Sequence, residues 1–193
     1  ASKPGAFLSG FIFIFNGYFM AHLYAGHLSF IQTYVWIPLI FLFLIRFTHS
    51  GCFRYAVTAG LILGIQILGG FPQLAFYTIL AATLFFFYSC CTRIKIGGAQ
   101  YLFKMAVAAI IFVFIGFSIA AIQLLPTYEF AQLSTRAGGV DYQFATMDSL
   151  PPRNLLTFLF PLLFGSPVDG TFWISGNTWE FWEYCGYAGI SSL

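Results

Sequence analysis

The stretch Gly97-GAQYLFKMAVAAIIFVFIGFSIAAIQLLPTYEFAQLSTRAGGV-Asp141 decides the fold of this chain. Between Met105 and Leu125 it holds no charge. Roughly twenty apolar residues at about 1.5 Å each reach across the roughly 30 Å hydrocarbon core of a bilayer. Lys104 stands on one shoulder of this run, while Pro126 opens a polar stretch with Glu129, Arg136 and Asp141 on the other. A span with a basic side and an acidic side has a direction, and that direction fixes where chemistry can take place.

The rest of the composition agrees with a membrane setting. Only 7% of the 193 residues are charged, 60% are hydrophobic and 21% aromatic, against roughly 25% charged in an average soluble domain. A net charge of +2, with no run of Lys and Arg, sets nucleic acid aside as a partner. Cys52, Cys90, Cys91 and Cys185 have no zinc-ligand spacing and read as small buried thiols. Ala1 is not an initiator Met, and Tyr184 to Leu193 turns apolar as if a further span begins, so the chain reads as a fragment of a longer polypeptide.

Working outward from the central run, Phe7–Tyr24 and Phe30–Phe47 are each long enough to span, the second with Pro38 inside it. Tyr55–Cys91 is too long for one span, and Gly69-Gly-Phe-Pro-Gln73 breaks it in two. The expected fold is therefore all-α: a polytopic helical bundle of about five spans plus the start of a sixth. Residues 1–125 form the bundle, 126–183 an extracytoplasmic loop, and 184–193 the beginning of another helix. In this up-and-down order Lys3, Arg46, Arg54, Arg93, Lys95 and Lys104 fall on one side, and Arg136 and Arg153 on the other. Short cytoplasmic loops hold the excess of Lys and Arg, which makes the first side cytoplasmic. Merging Tyr55–Cys91 into one span would scatter those cations across both faces. Within the outer segment, Asp148 or Ser149 reads as a helix cap with proline in the first turn, and Asn154–Phe164 as an interfacial or re-entrant helix too short to cross. Trp173, Trp179, Trp182, Tyr184 and Tyr187 suit headgroup depth.

The chain has no GxGxxG, P-loop, HExxH or GxSxG motif. Its chemistry rests on polar groups that the topology puts at the outer face: His22, His27, Gln32, Gln73, Glu129, Arg136, Asp141, Asp148, Arg153, Glu180 and Glu183. A carboxylate there can act as a base or metal ligand, and an Arg can clamp a phosphate with two hydrogen bonds. Individually, most such loop charges are simply solvated. His22 and His27 lie five apart around Gly26, which favours interfacial hydrogen bonding over ligation, although a pigment ligand is a further reading of a histidine in a span. Phe85-Phe-Phe87 reads as packing and lipid-facing surface, and Gly60, Gly64, Gly69 and Gly70 as sites of close helix approach.

Several pieces together resemble the YfhO-type bacterial membrane proteins of the GT-C glycosyltransferase superfamily. They are Tyr24–His27 with Trp36–Leu39, Leu68–Gln73, Gln123–Glu129 with Ser134–Arg136, Asn154–Pro161, and Trp179–Gly186. The resemblance implies a multi-pass protein of the bacterial cytoplasmic membrane that moves a sugar from a polyprenyl-phosphate carrier at the outer face. It implies that Arg136 contacts a lipid phosphate and that Glu129, Glu180 or Glu183 lines the acceptor side; His27 and Arg153 complete the substrate-binding candidates. The acidic loop characteristic of GT-C enzymes follows their first span, which this fragment lacks, so no catalytic base is carried over. A divalent metal would be held by residues outside the fragment, and the cofactor is otherwise unassigned. The rival reading is a non-catalytic subunit packed in a larger membrane complex, a pigment- or cofactor-containing one included. A transporter is disfavoured by the scarcity of charge within the spans.

Overall fold

The computed structural model describes residues 2–134, 137–139, 141, 142, 146, 152–160, 162–166 and 168–173, without the side chains of residues 94–97. The fold is all-α, with no strand among the described residues. The chain divides into two compact units, one of residues 28–137 and one of residues 1–27 with 138–193.

The first of these units opens with α3, Leu28–Tyr34, and α4, Ile37–Ser50, after α1 (Lys3–Ile14) and α2 (Gly17–Tyr24) of the other unit. Pro38 lies inside the apolar stretch Leu28–Ser50, as expected, and there it occupies the first turn of α4, where its missing N–H costs no hydrogen bond. The break at Val35 and Trp36 accommodates the ring. α5 covers Phe53–Leu68. Gly69 and Gly70 then turn the chain as expected, Gly70 with φ of 85°, and Pro72 starts the next helix. Helical turns run from Pro72 to Gln132 with one interruption at Gly98, whose φ of 56° and ψ of −157° are essentially glycine-only. That residue separates α6, Pro72–Arg93, from α7, Gly98–Gln132. The helix continues past Pro126, where the sequence reading ends the bundle.

The unit is built around α5, whose Ala56, Ala59, Gly60, Ile62, Leu63, Gly64, Gln66 and Ile67 are all buried. Ile40, Leu44 and Phe47 of α4, Ala82 and Phe86 of α6, and Met105, Ala108 and Phe112 of α7 complete the core. Because lipid tails are as apolar as these side chains, the helices gain little by hiding from lipid and must associate through close packing. Glycine makes that packing available. A Cβ on Gly60 would lie 2.9 Å from the Phe112 carbonyl oxygen, one on Gly64 would lie 2.7 Å from Ile119 Cβ, and one on Gly116 would lie 2.6 Å from Leu63 Cδ2. Residue numbers rise together on both helices at these contacts, so α5 and α7 run parallel, as alternate members of an up-and-down bundle do. Gly69 also meets its neighbour tightly, 2.7 Å from Thr33 Oγ1, whereas Gly70 serves the turn rather than a close approach.

Leu28–Ser50, α6 and α7, at 23, 22 and 35 residues, are long and apolar enough to cross a membrane. The 16 residues of α5 reach only about 24 Å at 1.5 Å each. Among the described residues, the five expected spans thus correspond to three helices long enough to cross, the short helix α5, and the pair α1–α2, which would make a fourth span if its 41° bend lies within one crossing.

In the other unit, Phe7–Tyr24 is not one helix. Asn16 interrupts it, its side chain accepting a 2.8 Å hydrogen bond from the Phe19 N–H and so capping α2. Further on, the segment expected as an interfacial helix holds a 3₁₀ helix, Pro152–Phe158, with Pro152 at its start. Trp173 packs edge-on against Phe164 at 5.3 Å. Asp148, Ser149, Trp179, Trp182, Tyr184, Tyr187 and the 184–193 segment lie outside the described residues. Cys52 and Cys91 are exposed and Cys90 is half-buried, all three free, which corrects the buried-thiol reading; Cys185 is outside the described residues.

Candidate functional site

The two ends of the 28–137 unit differ in chemistry. At the end where α3, α5 and α6 meet, Gln66 is fully buried. Its Nε2 donates to the Thr33 carbonyl at 3.1 Å and to Thr78 Oγ1 at 2.9 Å. Thr78 Oγ1 in turn donates to the Leu74 carbonyl at 3.0 Å. A carbonyl oxygen only accepts, so the Thr33 contact fixes which end of the amide is NH₂. Gln66 Oε1 is then a buried acceptor with no hydrogen-bond partner among the described residues. One amide thereby ties three helices together in an otherwise apolar interior.

At the opposite end, Arg93 Nη1 donates to the Thr48 carbonyl at 2.9 Å. That carbonyl belongs to the last turn of α4, whose oxygens have no intrahelical donor and whose dipole favours a cation. Arg54 Nη2 donates to the Tyr55 hydroxyl at 3.1 Å, with its guanidinium carbon 4.9 Å from the Tyr55 ring centre. The Arg46 guanidinium stands 6.0 Å over Phe43. Lys104 is exposed on the first turns of α7, and Lys95 lies in the junction that precedes it. The Arg93–Thr48 contact brings the α6–α7 junction to the end of α4, and so gathers four described cations at one end. Glu129 lies about 38 Å further along α7 than Lys104, at 1.5 Å per residue.

In the other unit, the His22 ring is buried and its Nδ1 lies 2.9 Å from the Tyr18 carbonyl. Facing a carbonyl, Nδ1 is the donor of this hydrogen bond. His27 is exposed and stands edge-on to His22 with ring centres 5.2 Å apart. The hydrogen-bonding reading of His22 thus has a concrete partner. Among the described residues no three His, Cys, Asp or Glu side chains gather as a metal site.

Of the substrate-binding candidates, Glu129 is exposed on α7 and Arg153 is exposed on the 3₁₀ helix. Glu129 belongs to the 28–137 unit, His27 and Arg153 to the other. Arg136, Glu180 and Glu183 lie outside the described residues. Sequence reasoning passed over Gln66, Thr33 and Thr78. The available signal was a lone amide inside the apolar run Leu61–Leu68, since a polar side chain at membrane depth is expensive unless partnered. On the outward side of α7, Ala109, Ile110, Val113, Phe114, Phe117 and Ser118 line an open apolar groove of about 720 Å³.

Together these features define the class of the molecule as an all-α membrane protein. No family model matches the chain, and neither does any curated protein or solved structure.

Proposed function

We propose that the chain is part of a multi-pass, glycosyltransferase-like membrane protein that transfers a sugar from a polyprenyl-phosphate carrier at the face away from its cationic end. The observation that carries this reading is the separation of charge along the 28–137 unit: Arg46, Arg54, Arg93 and Lys104 share one end, and Glu129 stands toward the other. By the excess of Lys and Arg in cytoplasmic loops, the cationic end faces the cytoplasm and residues 126–183 face outward. The order of the sequence pieces that resemble GT-C proteins supports the same orientation. In this reading Arg136 holds the carrier phosphate with forked hydrogen bonds, and Glu129 lines the acceptor side. The membrane would be the bacterial cytoplasmic one.

A second reading, a non-catalytic subunit of a larger membrane assembly, is favoured by the groove on α7. Phe114 there is 70% exposed and Ile110 67%, which leaves a face suited to another helix. One experiment separates the two. The full-length protein is purified in mild detergent, its co-purifying proteins are identified by mass spectrometry, and sugar transfer from a polyprenyl-phosphate donor is assayed in the same sample. Turnover that is lost in Arg136→Ala or Glu129→Gln supports the enzyme. Stoichiometric partners with no turnover support the subunit.

A further inference from the structure

We propose that the cationic end of the 28–137 unit is a binding site for the phosphate of an anionic membrane phospholipid, centred on Arg93. The first acidic residue of the chain is Glu129, so Arg46, Arg54, Arg93, Lys95 and Lys104 have no carboxylate among the first 128 positions to pair with. Glu129 stands at the far reach of α7. The negative charge that balances this end therefore comes from outside the unit.

Three features make the end a site rather than a diffuse patch. Arg93 is anchored through one nitrogen on the Thr48 carbonyl at 2.9 Å, which holds the guanidinium in place while its other N–H groups remain to fork onto a phosphate. Tyr101, on the first turn of α7, lies within electrostatic reach of Arg93, and its buried hydroxyl has no hydrogen-bond partner among the described residues. A phenolic O–H donates well to a phosphate oxygen. Arg54 is braced against the Tyr55 ring at 4.9 Å and Arg46 over Phe43 at 6.0 Å, so two further guanidiniums are oriented before any ligand arrives. The ligand is a bilayer lipid because the cations sit where full-length spans end, at the depth of headgroups. Basic pockets between helices at that depth recognise anionic lipid phosphates, with about 1 kcal/mol per Lys or Arg near the surface. This inference does not depend on the glycosyltransferase reading, whose carrier would meet the opposite end.

The test uses the full-length protein in detergent, with bound lipids counted by native mass spectrometry after titration with phosphatidylglycerol or phosphatidylcholine. Phosphatidylglycerol should bind in preference. Arg93→Gln should weaken it on the order of tenfold, Tyr101→Phe and Arg54→Gln several-fold each, and raised salt should weaken it in the parent protein. Lys104→Gln, an exposed change, carries the test if Arg93→Gln fails to fold. Equal binding of the two lipids, or phosphatidylglycerol affinity untouched by these substitutions, would overturn the proposal. So would displacement of the lipid by millimolar inorganic phosphate or by an acidic peptide, which would assign the site to a soluble anion or to a protein partner.

Discussion

The two ends of the 28–137 unit solve the same problem in opposite ways. Each must join helices at a place where backbone and side-chain polar groups meet apolar surroundings. The Gln66 end does so with neutral groups that bond one another: an amide between Thr33 and Thr78, with no charge involved. The Arg93 end does so with a cation laid on the final carbonyls of α4. A neutral amide can be buried at the cost of a few hydrogen bonds, whereas a guanidinium must keep part of itself in water or among headgroups. The first end can therefore lie deep, and the second marks a boundary.

Between them, the glycine contacts of α5 and α7 keep both ends in register, so the largest effect comes from breaking those. Gly64→Leu drives a side chain into Ile119, whose Cβ would lie 2.7 Å from the new Cβ. Overpacking of this kind costs about 3 kcal/mol or more, and with backbone on the other side the helices must separate. Thermal unfolding in detergent should show the midpoint falling steeply or the folded species disappearing. Gly98→Ala comes next. Nothing lies within 4 Å of a Cβ there, so only the backbone conformation is opposed, at roughly 1–3 kcal/mol. An equal loss for Gly98→Ala and Gly64→Leu would mean that the junction, not the helix contact, holds the ends together.

The comparison of the ends is sharpened by salt. Arg93→Met and Gln66→Met each remove hydrogen bonds worth about 1 kcal/mol. The loss for Arg93→Met should shrink between low and high ionic strength, because a partly exposed charge is screened, and that for Gln66→Met should not change. Unfolding midpoints at two salt concentrations decide it; a salt-sensitive Gln66→Met would erase the distinction.

How much of this was legible in the sequence follows from what each signal depends on. The turn at Gly69–Gly70 was readable because glycine acts locally, through its own backbone. The gathering of Arg46, Arg54 and Arg93 was readable because the loop-charge rule counts residues and needs no contacts. The break at Asn16 was not read, since an amide in an apolar run looks like a tolerated exception until its side chain is seen capping α2. Pro38 was rightly placed inside an apolar stretch, but whether it kinks one helix or starts a second depends on the path of Val35 and Trp36, which the sequence pattern does not give. The continuation of α7 through Pro126 is the converse case. For the candidate site the difficulty was of another kind: outer-face charges were named from topology, and topology gives a side of the membrane without giving contacts. Gln66 was passed over because its partners, Thr33 and Thr78, lie far apart in sequence and one of them contributes a backbone carbonyl, which no side-chain pattern reveals.

That last point yields the smallest and most discriminating expectation. If Gln66 bonds the backbone of Thr33 and the side chain of Thr78, the two threonines are not equivalent. Thr33→Val removes a hydroxyl that only donates to the Ser29 carbonyl of its own helix at 2.9 Å, and leaves the carbonyl that Gln66 uses. The site is fully buried, so the change costs that local hydrogen bond, about 1 kcal/mol, but it should show little coupling to Gln66. Thr78→Val removes the acceptor itself, and in a double-mutant cycle with Gln66→Met it should show a coupling of about 0.6 kcal/mol, the average for hydrogen bonds between membrane helices. Both couplings are measured by the same unfolding titration in detergent. Equal coupling of Gln66 to both threonines would mean that the amide reads side chains on both neighbours, and that the backbone of α3 is free to slide at this end.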